Sequence, residues 1–297
     1  MGDGPADQAD AASDHAASGF YTFTDERAQV EYVGGRRAAQ WVPFLLPHLR
    51  PGMRLLDVGC GVGSITLDLA ELVAPGAVVG VDMDEAQLRL AREAATARGL
   101  TNARFEVGSV FELPCADASF DVALAHTLLF HLSDQPRALR ELRRALAPGG
   151  LVAVSDDYFG AWAFAPEDSP VRRLVTEIVP RVVAAAGGSP YYSPRLRGLL
   201  LEAGFVRAEG HAVATEQYGT LAETRRYAAI IDRMLRNPEL TEFMMAQSLV
   251  MAEELPALRA AVRAWGERSD AFAAVLYCAA LGWVEVDASG APSDSAT

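Results

Sequence analysis

Lysine is absent. All 26 basic residues are arginine, against 39 acidic ones, for a net charge of −13. Such an excess of negative charge excludes a phosphate-backbone partner, which needs clustered positive charge. It equally excludes an anionic membrane surface. Cysteine is scarce: Cys60, Cys115 and Cys278 are odd in number and far apart. They form no disulfide framework and have no metal-ligand spacing, so reduced, buried thiols are expected and no metal. No long hydrophobic run occurs either. The apolar stretch from Ala271 to Val284 is too short to span a bilayer. The first residues, MGDGPADQADAASDHAASG, are acidic and lack the apolar core of a secretory signal. These absences lead to the expectation of a cytoplasmic protein with no nucleic-acid and no membrane partner.

What is present is a core and a rhythm. Hydrophobic residues make up 51% of the chain. Residues 1–19 and 287–297 are small and polar and are expected to be disordered tails around one domain, residues 20–286. From residue 53 the chain alternates between strand and helix patterns. Strands are expected at Met53–Val58, Ala77–Val81, Ala103–Val107, Phe120–Ala125 and Leu151–Ser155. Helices are expected after Ser64, over Glu85–Arg98, and around Ala138 and Leu142. Strands alternating with amphipathic helices imply an α/β fold, with a parallel sheet covered on both faces. Beyond residue 169 the pattern changes. A helix over Ser169–Ala186, a short helix ending at Gly204 and a strand-like run precede a strongly helical stretch, residues 221–268. A last strand follows at Ala273–Tyr277 and can extend to Val284. The helical stretch is longer than an ordinary connection. It is expected to act as a lid, together with a helix around Tyr21–Tyr32.

The most informative segment is LLDVGCGVGSIT, residues 55–66. A strand running into Gly59, Gly61 and Gly63 and then into a helix brings backbone close to a ligand. The next strand ends in GVDMD, which places Asp82 to take the two hydroxyls of a ribose. Asp84 fits the N-cap of the following helix. The ligand is therefore an adenosine-type cofactor. The dinucleotide fingerprint G-x-G-x-x-G is not matched, because its sixth position is Ser64. A pyrophosphate also has no use for an acid such as Asp57. A cationic ligand does, and S-adenosylmethionine (SAM) carries both a sulfonium and an ammonium.

Four segments, LLDVGCGVGSIT, VVGVDMDEAQL, GSVFELPCADASFDVALAHTLLFHL and LRRALAPGGLVAVSD, resemble in order and spacing the motifs of class I SAM-dependent methyltransferases. They resemble the branch with ubiquinone-type and natural-product enzymes. The resemblance covers residues 50 to 156, and more weakly to about 215. It implies a doubly wound, Rossmann-like, seven-stranded sheet with the last strand antiparallel, and SAM as cofactor. It implies Asp82 on the ribose, Met83 on the adenine, and the Ser109–Val110 turn beside the adenine amino group. Ala125 matches a position whose backbone meets the methionine end. The family often has an acid where this chain has Ser109.

Methyl transfer is an in-line displacement with a good leaving group, so proximity and alignment can supply most of the catalysis. A base is needed only for a nucleophile that is protonated at neutral pH. His126 follows the fourth strand and is the candidate base for a hydroxyl acceptor. His131, Asp156, Asp157 and Tyr158 stand near the same strand ends. The expected reaction is O-methylation of a small secondary metabolite. N- or C-methylation, and a rearrangement or cyclisation that uses the bound sulfonium only as a cation, stay open. So does a homodimer.

Overall fold

The structure, a computed structural model, describes residues 33–286. Both expected tails and the helix expected around Tyr21–Tyr32 lie outside the described residues. Five parallel strands form the sheet's first part: β1 (Leu55–Val58), β2 (Val78–Asp82), β3 (Ala103–Val107), β4 (Phe120–His126) and β5 (Leu146–Asp157). They continue into β6 (Ala163–Ala165), β7 (Arg207–Tyr218) and β8 (Phe272–Trp283). The order is β3-β2-β1-β4-β5-β8-β6, with β7 paired along β8. β8 runs antiparallel to β5, β6 and β7. The doubly wound sheet with an antiparallel last strand is thus present. It has eight strands where seven were expected, because the sequence reading missed the three-residue β6.

β1 is buried along its whole length, as befits a strand covered on both faces. One face carries α1 (Ala38–Trp41) and α2 (Ser64–Val73), and α3 (Glu85–Ala97) covers β3. The other carries α4 (Gln135–Ala145) and, further on, α7 (Leu196–Glu202). Asp84 caps α3 by accepting from the Ala86 N–H, as its position suggested. β5 begins at Leu146, earlier than expected, because Leu146 already pairs with Phe120.

Residues 159–185 and 221–266 form a separate layer with its own core. It contains α5 (Pro170–Arg173), a π-type turn (Leu174–Ile178) and α6 (Val179–Ala185). It also contains α8 (Leu221–Met234), α9 (Pro238–Ala246) and α10 (Leu255–Gly266). Their apolar faces meet β6 in a cluster around Phe164, Tyr218, Tyr227 and Trp265. A capping box of Thr220 and Glu223 starts α8. Asp232 on α8 accepts from Arg236, Arg259 and Arg263, tying α8 to α10. At Gly266 a Cβ would come within 2.6 Å of Ala228 Cβ, so the two helices touch there.

Candidate active site

The strand order reverses between β1 and β4, and ligands bind in the crevice outside the carboxyl ends of strands at such a point. A cavity of about 460 Å³ lies there, within the usual range for small-molecule sites. The turn after β1 is its floor. Gly59 N–H and Cys60 N–H donate to Val81 O at 2.7 and 3.2 Å, which pins the turn to β2. Gly59 and Gly61 take left-handed φ of 72° and 53°, a conformation side chains disfavour. Gly63 differs from expectation. It does not line the cavity, and a Cβ there would come within 2.9 Å of Ala91 Cβ. Its role is to let α2 approach α3.

Asp82 stands at the end of β2. Its Oδ2 accepts from Gly61 N–H at 2.8 Å and its Oδ1 from Asp84 N–H at 3.0 Å. Burial raises its pKa, and these backbone donors oppose the rise. A carboxylate has about four lone-pair sites. Each oxygen therefore keeps capacity for one ribose hydroxyl. Met83 beside it is exposed and borders the cavity. Gln87 Oε1 is buried there with no hydrogen-bond partner among the described residues, as a group awaiting a ligand donor would be. Ser109 and Val110 line the same end, with Ser109 Oγ accepting from Phe111 N–H at 3.2 Å. These residues fit the adenosine part of the cofactor.

Deeper in, Asp57 is almost fully buried and accepts from Thr66 Oγ1 at 2.5 Å. Burial pushes its pKa from 3.8 to about 7, against the Thr66 hydrogen bond. The cavity also contains a buried cation that the sequence reading did not single out. Arg36 lies 4.0 Å from the Trp41 ring and donates to Thr127 Oγ1 at 3.2 Å. Thr127 itself has φ of 56°, a strained value for a β-branched residue and one that clusters at functional sites. Cys60 borders the cavity, and burial pushes its thiol well up, which keeps it protonated.

His126 lines the cavity, as expected of the residue after Ala125, but its environment is not that of a base titrating near 6.5. It is stacked on Tyr277 at 5.7 Å and edge-on to Trp41 at 5.4 Å. Burial, with the Arg36 charge beside it, pulls its pKa well below the usual histidine value. Neither ring nitrogen has a partner among the described residues. A neutral imidazole of this kind can accept or donate a hydrogen bond, but it is a poor store for a proton. Burial likewise lowers His131, to about 4. Ala125 is fully buried and does not line the cavity; the residues next in the chain do.

The roof is apolar. Phe159, Trp162, Val175, Val179 and Val183 face in from residues 159–185, and Tyr227, Ile230, Ile231 and Met234 from α8. α9 and α10 contribute none of the lining. The cover is therefore narrower than the expected 221–268 lid, and it includes residues 159–185, which the sequence reading had not assigned to it. Asp157 lines the cavity and its Oδ1 accepts from Trp162 Nε1 at 2.7 Å. Asp156 does not line it. It accepts from the Tyr192 hydroxyl, and burial raises its pKa to about 7. Tyr158 is not in the lining either.

A Rossmann-like sheet with a glycine turn, an acid at the end of β2 and a cavity under an apolar roof defines the class of enzymes that bind a nucleoside cofactor. Comparison with known proteins narrows that class. A methyltransferase-domain family model matches residues 49–171. The chain is 31% identical over 272 residues to "Probable methyltransferase ltbC" of Aspergillus luteorubrus, covering 86% of this chain and 93% of that one. It is 32% identical over 169 residues to nocamycin O-methyltransferase of Saccharothrix syringae, covering 53% and 60%. Among solved structures it resembles the [4+2]-cyclase SpnF, with a TM-score of 0.54 and 25% identity, covering 84% of this chain and 82% of that one. The chain belongs to the SAM-dependent methyltransferases.

Proposed function

We propose that the protein methylates a hydroxyl oxygen of a small, largely apolar secondary metabolite. The observation that carries this reading is the division of one cavity into a polar floor and an aliphatic and aromatic roof. Bound SAM supplies an electrophilic methyl group on a sulfonium with a good leaving group. Asp82 holds the ribose hydroxyls. Asp57 and Arg36 take the ammonium and the carboxylate of the amino-acid end, a pairing of opposite charges that burial strengthens. The roof excludes water and holds the acceptor in line. His126 orients the acceptor hydroxyl by a hydrogen bond to its neutral ring and does not store the proton. As the oxygen–methyl bond forms and the methyl–sulfur bond breaks, the sulfur keeps the electron pair, leaving S-adenosylhomocysteine (SAH), and the hydroxyl proton passes to solvent.

The test is mass spectrometry of candidate hydroxylated metabolites incubated with SAM. Gain of one methyl on oxygen together with formation of SAH is expected. A methyl on nitrogen or carbon overturns the choice of atom. The likeness to SpnF favours a second reading, cyclisation or rearrangement with the sulfonium retained. Converted product without SAH would establish it.

A further inference from the structure

A second cavity, of about 30 Å³, lies behind the roof. Its lining is entirely apolar, so it gives a water no hydrogen-bond partner. Val179, Ile231 and Met234 border this cavity and the main one, and their side chains stand between the two. The far wall is Val182, Leu240 and Met244. The π-type turn sits at the same junction: Val175 within it borders the main cavity, and its neighbour Leu174 borders the side cavity. π-turns inside helices occur frequently at functional sites. Of the three dividing residues, Met234 is unbranched, half-buried and able to change rotamer, whereas Val179 and Ile231 are β-branched and stiff.

We propose that the side cavity is a subsite for the end of an unbranched alkyl or alkenyl arm on the acceptor, and that Met234 is its gate. This rests on the reading of the main cavity as the acceptor site. A polar or charged arm end is excluded, because nothing in the lining can replace its hydration. A branched or ring-shaped end is excluded by size. Met234 thereby sets how long an arm the enzyme accepts.

The experiment uses a series of 4-n-alkylphenols as probes, titrated by calorimetry into full-length protein saturated with SAH. Affinity should rise about fourfold per methylene, the equivalent of roughly 0.8 kcal/mol per buried CH₂. The rise should stop at a ceiling chain length. Val182→Ile adds a methylene to the far wall and should lower that ceiling by about one carbon. Met234→Ala removes the gate and should raise it. SAH affinity and the melting temperature, read on each variant, report folding. Should Met234→Ala fail to fold, Val182→Ile alone decides. A ceiling that Val182→Ile leaves unchanged, while the wild-type series is graded, overturns the subsite and leaves the acceptor reading standing. If SAH binds and no alkylphenol does, the apolar acceptor reading falls, and the subsite with it.

Discussion

The floor and the roof of the cavity are built on opposite principles. The floor is made of short turns whose polar groups are fixed by backbone: Asp82 held by two N–H donors, the glycine turn held by Val81 O. The roof is made of helix faces with their own core, held to the sheet by β6 pairing and apolar packing. Polar recognition needs atoms placed to a fraction of an ångström, and strand ends supply that. Enclosing an apolar acceptor needs area and adaptability, and helices carrying Met, Ile and Val supply those. The two regions should therefore respond differently to substitution, and that difference can be broken experimentally.

The largest effect is expected at the floor. Asp82→Ala removes two charge-assisted contacts to the ribose and releases the glycine turn. SAH affinity should fall by about 100-fold or more, since two contacts at roughly 1.5–3 kcal/mol each sum to at least about 3 kcal/mol. Calorimetry giving unchanged affinity would remove the ribose assignment.

Next comes a roof variant that should leave the cofactor alone. Burial pushes the Asp232 carboxyl up, but hydrogen bonds from Arg236 and Arg259 outweigh it and hold its pKa below the ordinary value. Asp232→Ala leaves three guanidiniums without this partner, Arg236 in the turn after α8 and Arg259 and Arg263 on α10. The cost should be about 2 kcal/mol, between that of a surface pair and a fully buried one. Thermal melting should show the loss while SAH affinity stays within about twofold. A large drop in SAH affinity would mean that floor and roof are one energetic unit.

A smaller, pH-dependent effect follows from Asp57. Its folded pKa of about 7 means the free protein keeps a proton that a cationic ligand must expel. SAH affinity should therefore weaken as pH falls from 8 to 6, by about tenfold at most. Asp57→Asn should abolish the dependence. The same raised value means the folded state holds a proton the unfolded chain gives up. The Asp57 contribution to stability is therefore fully present below its unfolded pKa of 3.8, and is lost as pH rises towards about 7. Asp156, also raised to about 7, adds in the same direction. A melting temperature that climbs steadily between pH 4 and 7 would contradict both.

The smallest effect is expected at His126. A base with an ordinary pKa would cost about 10²–10⁴ in rate when removed. A neutral, stacked imidazole that orients a hydroxyl should cost less than about tenfold in kcat on His126→Gln, with kcat at saturating SAM flat from pH 6 to 9. Loss of most of kcat, restored by raising the pH, would reinstate the histidine as a base.

Sequence alone determined the alternation of strands and helices, the glycine turn, and the acids Asp57 and Asp82, because each depends on residues close together in the chain. Periodicity reports burial on one face, and turn chemistry reports φ. It could not show that Gly63 serves helix contact, since that depends on Ala91 in another helix. Arg36 was illegible for the same reason: its significance comes from Trp41 and from Thr127, ninety-one positions away. The three residues of β6 carry too little pattern to read as a strand, and β8 alone makes them one. The roof was read as far as its helices but not to the faces they present. Which residues line a cavity is decided by the packing of segments distant in sequence. The same packing desolvates His126 and moves its pKa, and desolvation is a property of the folded surroundings.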